Sequence, residues 1–275
     1  MSLITALMPL VLAVLPCRDS TLQQKDSAAF AKLDTMLENY CSAIERESVS
    51  LKEGECDFLI GSVGDSLLSR HIALSLYDRY KDSPVMGDEA VAIHIYDNWF
   101  KPGKIAMRSE FDRLEADIFA TFNRSTLIGM KAPSAVMKSP CGKNITIPQD
   151  DGRHSILFFF DTGCGKCRLE AELMPQVLDK ISFPTTFYAV YCGSDKKAWR
   201  KFRRDFRTRN RNVRILHIWD PEITSDYLRL YGVTSTPRLL ITDTDGEILG
   251  RRLEIESLEE MIFYIGEYYG QAKNN

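Results

Sequence analysis

The chain has 275 residues, enough for two ordinary domains. Its 44% hydrophobic and 27% charged residues are those of a soluble globular protein, and a net charge of −3 excludes the global basic field that nucleic-acid binding uses. No stretch reaches the about 18 apolar residues of a membrane-spanning helix.

From the N-terminus, Leu3–Pro16 is an apolar segment of signal-core length, though no lysine or arginine precedes it. Cys17 follows directly and resembles the lipid-attachment cysteine of bacterial lipoproteins, with Pro16 where such a signal has a small residue. Residues 1–24 therefore read as an export segment with Cys17 as a candidate lipid anchor, running into a polar tether (RDSTLQQKD, 18–26). The other reading is an ordinary N-terminal helix or a misplaced start. Residues 25–126 read as a small all-α domain. Phe30, Leu33, Leu37, Tyr40, Cys41 and Ile44 space one helix over Ser27–Ser50. Others are expected over 66–80, 90–100 and 105–122, with Pro102-Gly103 closing the third. His71 and His94 are single histidines without metal-ligand spacing, and read as satisfied helical residues.

Residues 127–275 read as a separate α/β domain. Leu127–Pro148 is a proline- and lysine-bearing connector with an edge strand and turn. Strands are expected at 155–160, 185–192, 213–219, 238–242 and 247–252, with helices to Lys180, after Cys192, about Ser225–Tyr231 and from Ser257. Asp245-Gly246 supplies a hairpin turn between the last two strands. Strands alternating with helices and closed by a hairpin imply a central mixed sheet covered on both faces.

The chemistry concentrates in FFFDTGCGKC, Phe158–Cys167. A buried strand breaks at Asp161-Thr162-Gly163, and Cys164 and Cys167 follow at a helix start, with Leu169 and Leu173 close by in sequence. Free amides and the helix dipole there favour an anion, so the thiolate form is favoured and the pKa falls from about 8.5 toward about 7. Lys166 between the cysteines adds a cation. Of the seven cysteines, Cys41, Cys56, Cys141 and Cys192 remain if Cys17 is lipidated; an even remainder permits disulfides without specifying a pairing, and Cys192 reads as a buried strand thiol. A zinc site would want a second CxxC or a histidine pair, and neither is present. The block Arg200–Arg214 reads as a solvated basic face, or as a docking surface for an acidic partner or lipid.

CGKC after a strand, GVTSTP (Gly232–Pro237) before a strand, and the hairpin LLITDTDGEILG together resemble a thioredoxin-fold domain, closest to envelope thiol-disulfide oxidoreductases of the TlpA/ResA kind. The preceding half, with MGDEAVAIHIYDNWF, is similar to N-terminal regions attached to such domains in the Bacteroidota. The resemblance implies Cys164 as nucleophile, Cys167 as resolving cysteine, a cis-proline at Pro237 preceded by Thr236, and Glu170 at the CxxE position of these relatives. Three departures stand out. Gly163 replaces the aromatic residue before the first cysteine, Phe158 replaces a buried acid, and Pro175 follows Cys167 by eight residues rather than about five. Glu170, one turn beyond Cys167 on the same face, could take over part of the missing acid's role, or be one more solvated acid. The implied function is disulfide exchange with protein thiol or disulfide substrates in the periplasm, more as reductant, fed by a membrane or periplasmic electron donor and needing no metal or organic cofactor. The competing reading is a redox-inactive thioredoxin-fold binding module.

Overall fold

A computed structural model describes residues 22–272, with side chains from Phe30 to Tyr268. The export-like segment and Cys17 lie outside the described residues. Packing divides the chain into two compact units at Arg113/Leu114.

The first unit is helical. Helix α1 (Leu22–Ala43) begins inside the stretch read as a tether and stops seven residues short of Ser50. Its first turns, LQQKDSAAFAK, are rich in good helix formers, so a polar run continues here as helix rather than coil. The chain turns, and Ser48 caps an unanticipated α2 (Val49–Gly61) by accepting from Leu51 N at 3.3 Å. Lys52 disguised this helix: it sits on the buried face, 3% exposed, and pairs with buried Asp88 at 2.6 Å. Next come α3 (Ser66–Lys81), capped by Asp65, and α4 (Glu89–Ile95), which continues as a π-helical turn over Tyr96–Phe100. Ile60, Ile72, Leu76, Val91 and Ile95 make the core. His71 and His94 each hold a carboxylate, Asp34 at 2.7 Å and Asp57 at 2.9 Å.

Helix α5 (Glu110–Asn123) crosses the division and starts five residues later than Ile105. The second unit is built on a seven-stranded sheet in the order β2-β1-β5-β4-β3-β6-β7. Its elements are β1 (Ala135–Lys138), β2 (Asn144–Ile147), β3 (His154–Phe160), α6 (Gly165–Asp179), β4 (Thr185–Tyr191), α7 (Lys196–Asp205), β5 (Val213–Trp219), α8 (Tyr227–Leu230), β6 (Arg238–Thr242), β7 (Ile248–Arg251) and α9 (Ile255–Ala272). β3, β4 and β5 run parallel; β6 and β7 are antiparallel, closing the hairpin. Both β3 and β4 are buried at every position, because each lies inside the sheet with both faces covered. Ile156, Phe158 and Phe160 face a core shared with α6, α7 and α9, while Leu157 and Phe159 face a second core with Met137, Tyr227 and Tyr231. α8 is shorter than the expected Ser225–Tyr231. The Asp220 carboxylate accepts from Thr224 Oγ1 and Ser225 N, and Asp226 has φ 54°, so the segment before Tyr227 is held as loop.

Candidate functional site: a dithiol at the N-terminus of α6

β3 ends at Phe160, and the loop 161–163 turns the chain into α6. Asp161 Oδ1 accepts from Gly163 N at 2.8 Å, and Thr162 Oγ1 lies 3.2 Å from Tyr191 OH, tying the loop to β4. Gly193 faces this turn so closely that a Cβ there would come 2.5 Å from Tyr191 OH and 2.9 Å from Asp161 Oδ1.

Cys164 is the N-cap of α6. Its Sγ accepts from Cys167 N at 3.3 Å and donates to Thr236 O, also at 3.3 Å. The Thr236–Pro237 peptide is cis, as is Ile147–Pro148, which nothing in the sequence singled out. Partial burial opposes the Cys164 thiolate. Hydrogen bonds with the Cys167 side chain and amide, the Thr236 side chain and the Lys166 amide outweigh it, and the pKa lies below the ordinary thiol value. Cys167 is 1% exposed, and burial, reinforced by its hydrogen bond with Cys164, pushes it up to about 11. Its cover is not Leu169 or Leu173, which point outward at 59% and 38% exposure, but the core of Phe158, Phe160 and Met174. Phe158, at the position of the missing acid, stacks on Phe160 with centroids 5.2 Å apart.

Lys166 is held by carboxylates, Glu254 at 2.8 Å and Glu170 at 3.9 Å. Its contribution to Cys164 is its backbone N–H. Glu170 is 4% exposed and its Oε2 has no hydrogen-bond partner; burial raises its pKa, with Lys166 opposing. Glu254 carried no sequence signal, since it reaches the site from the loop after β7. Cys192 lies just past β4, part-exposed as a residue, its thiol pushed up to about 12 by burial. Among the described residues no cluster of three or more His, Cys, Asp or Glu side chains is placed to hold a metal ion.

Beside the site, a groove of about 600 Å³ runs between α6 and α7 from Thr162, past Arg168 and Pro175, to Phe202. Trp199 on α7 and Phe206, its C-cap within the basic block, turn into the core, and Arg203 stacks over Trp199 at 5.1 Å. Such a site offers a part-exposed, low-pKa thiol over a buried one, which suits nucleophilic attack followed by intramolecular resolution.

No protein-family model matches the chain, and no curated protein does. Among solved structures it is similar to a thioredoxin-like protein from Bacteroides caccae, at 16% identity and a TM-score of 0.64, over 91% of this chain and 97% of that one. It also matches a domain of a possible thiol-disulfide isomerase from Cytophaga hutchinsonii, at 25% identity and a TM-score of 0.43, over 54% of this chain and 97% of that one. A third match is the thioredoxin domain of a thiol-disulfide oxidoreductase from Bacteroides vulgatus, at 18% identity and a TM-score of 0.44, over 50% of this chain and 97% of that one. The first of these establishes the architecture: a thioredoxin-like fold preceded by an all-α N-terminal region.

Proposed function

We propose that the chain is a thiol-disulfide oxidoreductase that exchanges the Cys164/Cys167 pair with protein disulfides in the cell envelope, acting as a reductant. The observation that carries this reading is the position of Cys164 Sγ, capping α6 and 3.3 Å from both Cys167 N and Thr236 O.

In the reductive direction the Cys164 thiolate attacks one sulfur of a partner disulfide. That S–S bond breaks, a mixed disulfide forms, and the first partner thiolate takes up a proton. Cys167 then gives up its proton and attacks Cys164 Sγ, which forms the internal disulfide and expels the second partner thiolate. Two electrons pass to the partner, and a membrane or periplasmic dithiol donor restores them. Buried Glu170 is the group suited to receive the Cys167 proton, because its raised pKa brings it closer to neutrality. The backbone beside the Thr236–Pro237 peptide, just ahead of β6, offers the partner chain an edge for short β-augmentation. Export rests on Leu3–Cys17, and among the described residues no helix is long and apolar enough to cross a membrane.

The test is thiol trapping on non-reducing gels. Cys167→Ser should accumulate mixed disulfides, and Cys164→Ser should form none. If neither substitution alters any disulfide chemistry, the chain is a thioredoxin-fold binding module instead. Location is read by fractionation, and a lipid anchor by palmitate labelling that Cys17→Ala abolishes.

A further inference from the structure

Three arginines gather beside the Thr236–Pro237 edge in the second unit. Arg251 and Arg252 both donate through Nη2 to the Oδ1 of Asn123, the former at 2.7 Å. Asn123 is 2% exposed, and its Nδ2 is used by Phe119 O at 2.7 Å, so its one carbonyl oxygen serves two guanidinium groups. Arg238, the residue after Pro237, reaches back to Thr234 Oγ1 at 3.3 Å and leaves its Nε without a partner. Among the described residues, no aspartate or glutamate pairs with Arg238 or Arg252. Burial, then the neighbouring Arg252, pushes Arg238 down to about 10, as expected of a cation held without a counter-charge. Backbone strain accompanies the cluster: Arg252 adopts φ 52°, a left-handed conformation unusual for its type. Thr234 and Ser235, beside Arg238, are exposed, so an incoming chain can reach that side of the cluster.

Half-buried Arg238 and exposed Arg252 stand together without a carboxylate partner and so favour an anion, and planar forked donors match a carboxylate. We propose that Arg238 and its neighbour Arg252, the latter held with Arg251 on Asn123, form a carboxylate-binding subsite for the polypeptide that exchanges its disulfide at Cys164. This deepens the exchange reading and rests on it for the identity of the ligand. A polypeptide lying along the Thr236 edge would set an acidic side chain, a few residues from its reacting cysteine, against these donors. The subsite thus selects acidic flanks.

The test uses the reduced full chain and two disulfide-bonded peptides that differ only by Glu or Gln at a position flanking the cysteine. Versions with both cysteines replaced by serine measure binding alone. At low ionic strength the Glu peptide should react with about tenfold higher kcat/KM and bind correspondingly tighter. In Arg238→Gln, and separately in Arg252→Gln should the first fail to fold, the ratio should fall to within about twofold. Inorganic phosphate should inhibit the Glu peptide more than the Gln peptide. Equal rates and equal binding for the two peptides in the unsubstituted chain overturn the subsite, as does an unchanged ratio in folded variants. If neither disulfide peptide reacts but the serine versions still show an Arg238-dependent Glu preference, the exchange reading fails and the subsite stands.

Discussion

Alkylation of the reduced chain by iodoacetamide at pH 7 should discriminate sharply between the two motif cysteines. The thiolate is the reacting species, and each pH unit below the pKa reduces it tenfold. With its pKa at about 11, Cys167 is ionised in about one molecule in ten thousand at pH 7. An ordinary thiol is ionised to a few per cent, and Cys164, held below the ordinary value, exceeds that. Ionisation alone then favours Cys164 by at least about 100-fold, and the 1% exposure of Cys167 widens the gap. Peptide mapping by mass spectrometry after timed quenching reads both sites in one sample; a Cys141→Ser background removes the exposed competitor. As the pH rises, the Cys164 rate should level off before the Cys167 rate does. Labelling of Cys167 within about tenfold of Cys164 would refute the assignment of roles and the electrostatic account behind it.

Glu170→Gln should slow release of the second partner thiol by about 100-fold while mixed disulfides still form, read by quenched-flow trapping; release at the unsubstituted rate excludes Glu170 as the proton acceptor. His217 is half-buried, edge-on to Phe202 and Phe206, and pushed down to about 4, by desolvation first and then by Arg203 and Arg207. Its folded pKa is depressed, so the unfolded chain binds the proton first: stability is intact above about pH 6.5 and is lost toward pH 4 at about 1.4 kcal/mol per unit. Against His217→Phe, urea titrations at pH 7 and 4.5 should differ by about 2 kcal/mol, and a pH-independent difference would contradict this burial. Gly232 has φ +60°, and a Cβ there would stand 2.2 Å from Phe122 O. Gly232→Ala should therefore cost at least about 2 kcal/mol in thermal or urea unfolding, and a neutral result would mean that the loop is misplaced.

What the sequence made legible depended on how completely each element is buried. The β3 and β4 runs are apolar throughout because both sheet faces are covered, and β5 and β6 have the bounds their residues suggest. The joint between β3 and α6 was visible because Asp161-Thr162-Gly163 interrupts a long apolar run. α2 was hidden because its buried face includes Lys52, whose partner Asp88 lies 36 residues away. Composition cannot distinguish a salt-bridged core lysine from a surface one. The same limit applies around the dithiol: Glu254 meets Lys166 across 88 residues, and Asn123 meets Arg251 across 128, with no periodicity to announce either. Leu169 and Leu173 looked like cover for Cys167, yet helix geometry turns them to solvent.

Cys164 is the cap of α6 and, on the proposed exchange reading, also the nucleophile, and that double duty couples the oxidation state of the pair to the cohesion of the fold. Whatever free energy the helix lends the thiolate, the thiolate returns to the helix. Oxidation removes the charged cap, leaving α6 less well anchored by about 1 kcal/mol. Closing the thermodynamic cycle, the same preference for the reduced form raises the reduction potential by about 20 mV. A helix that sharpened its grip on the sulfur would make a faster nucleophile and a weaker reductant. The difference in unfolding free energy between the dithiol and disulfide forms is therefore a direct measure of how readily this chain gives up its electrons.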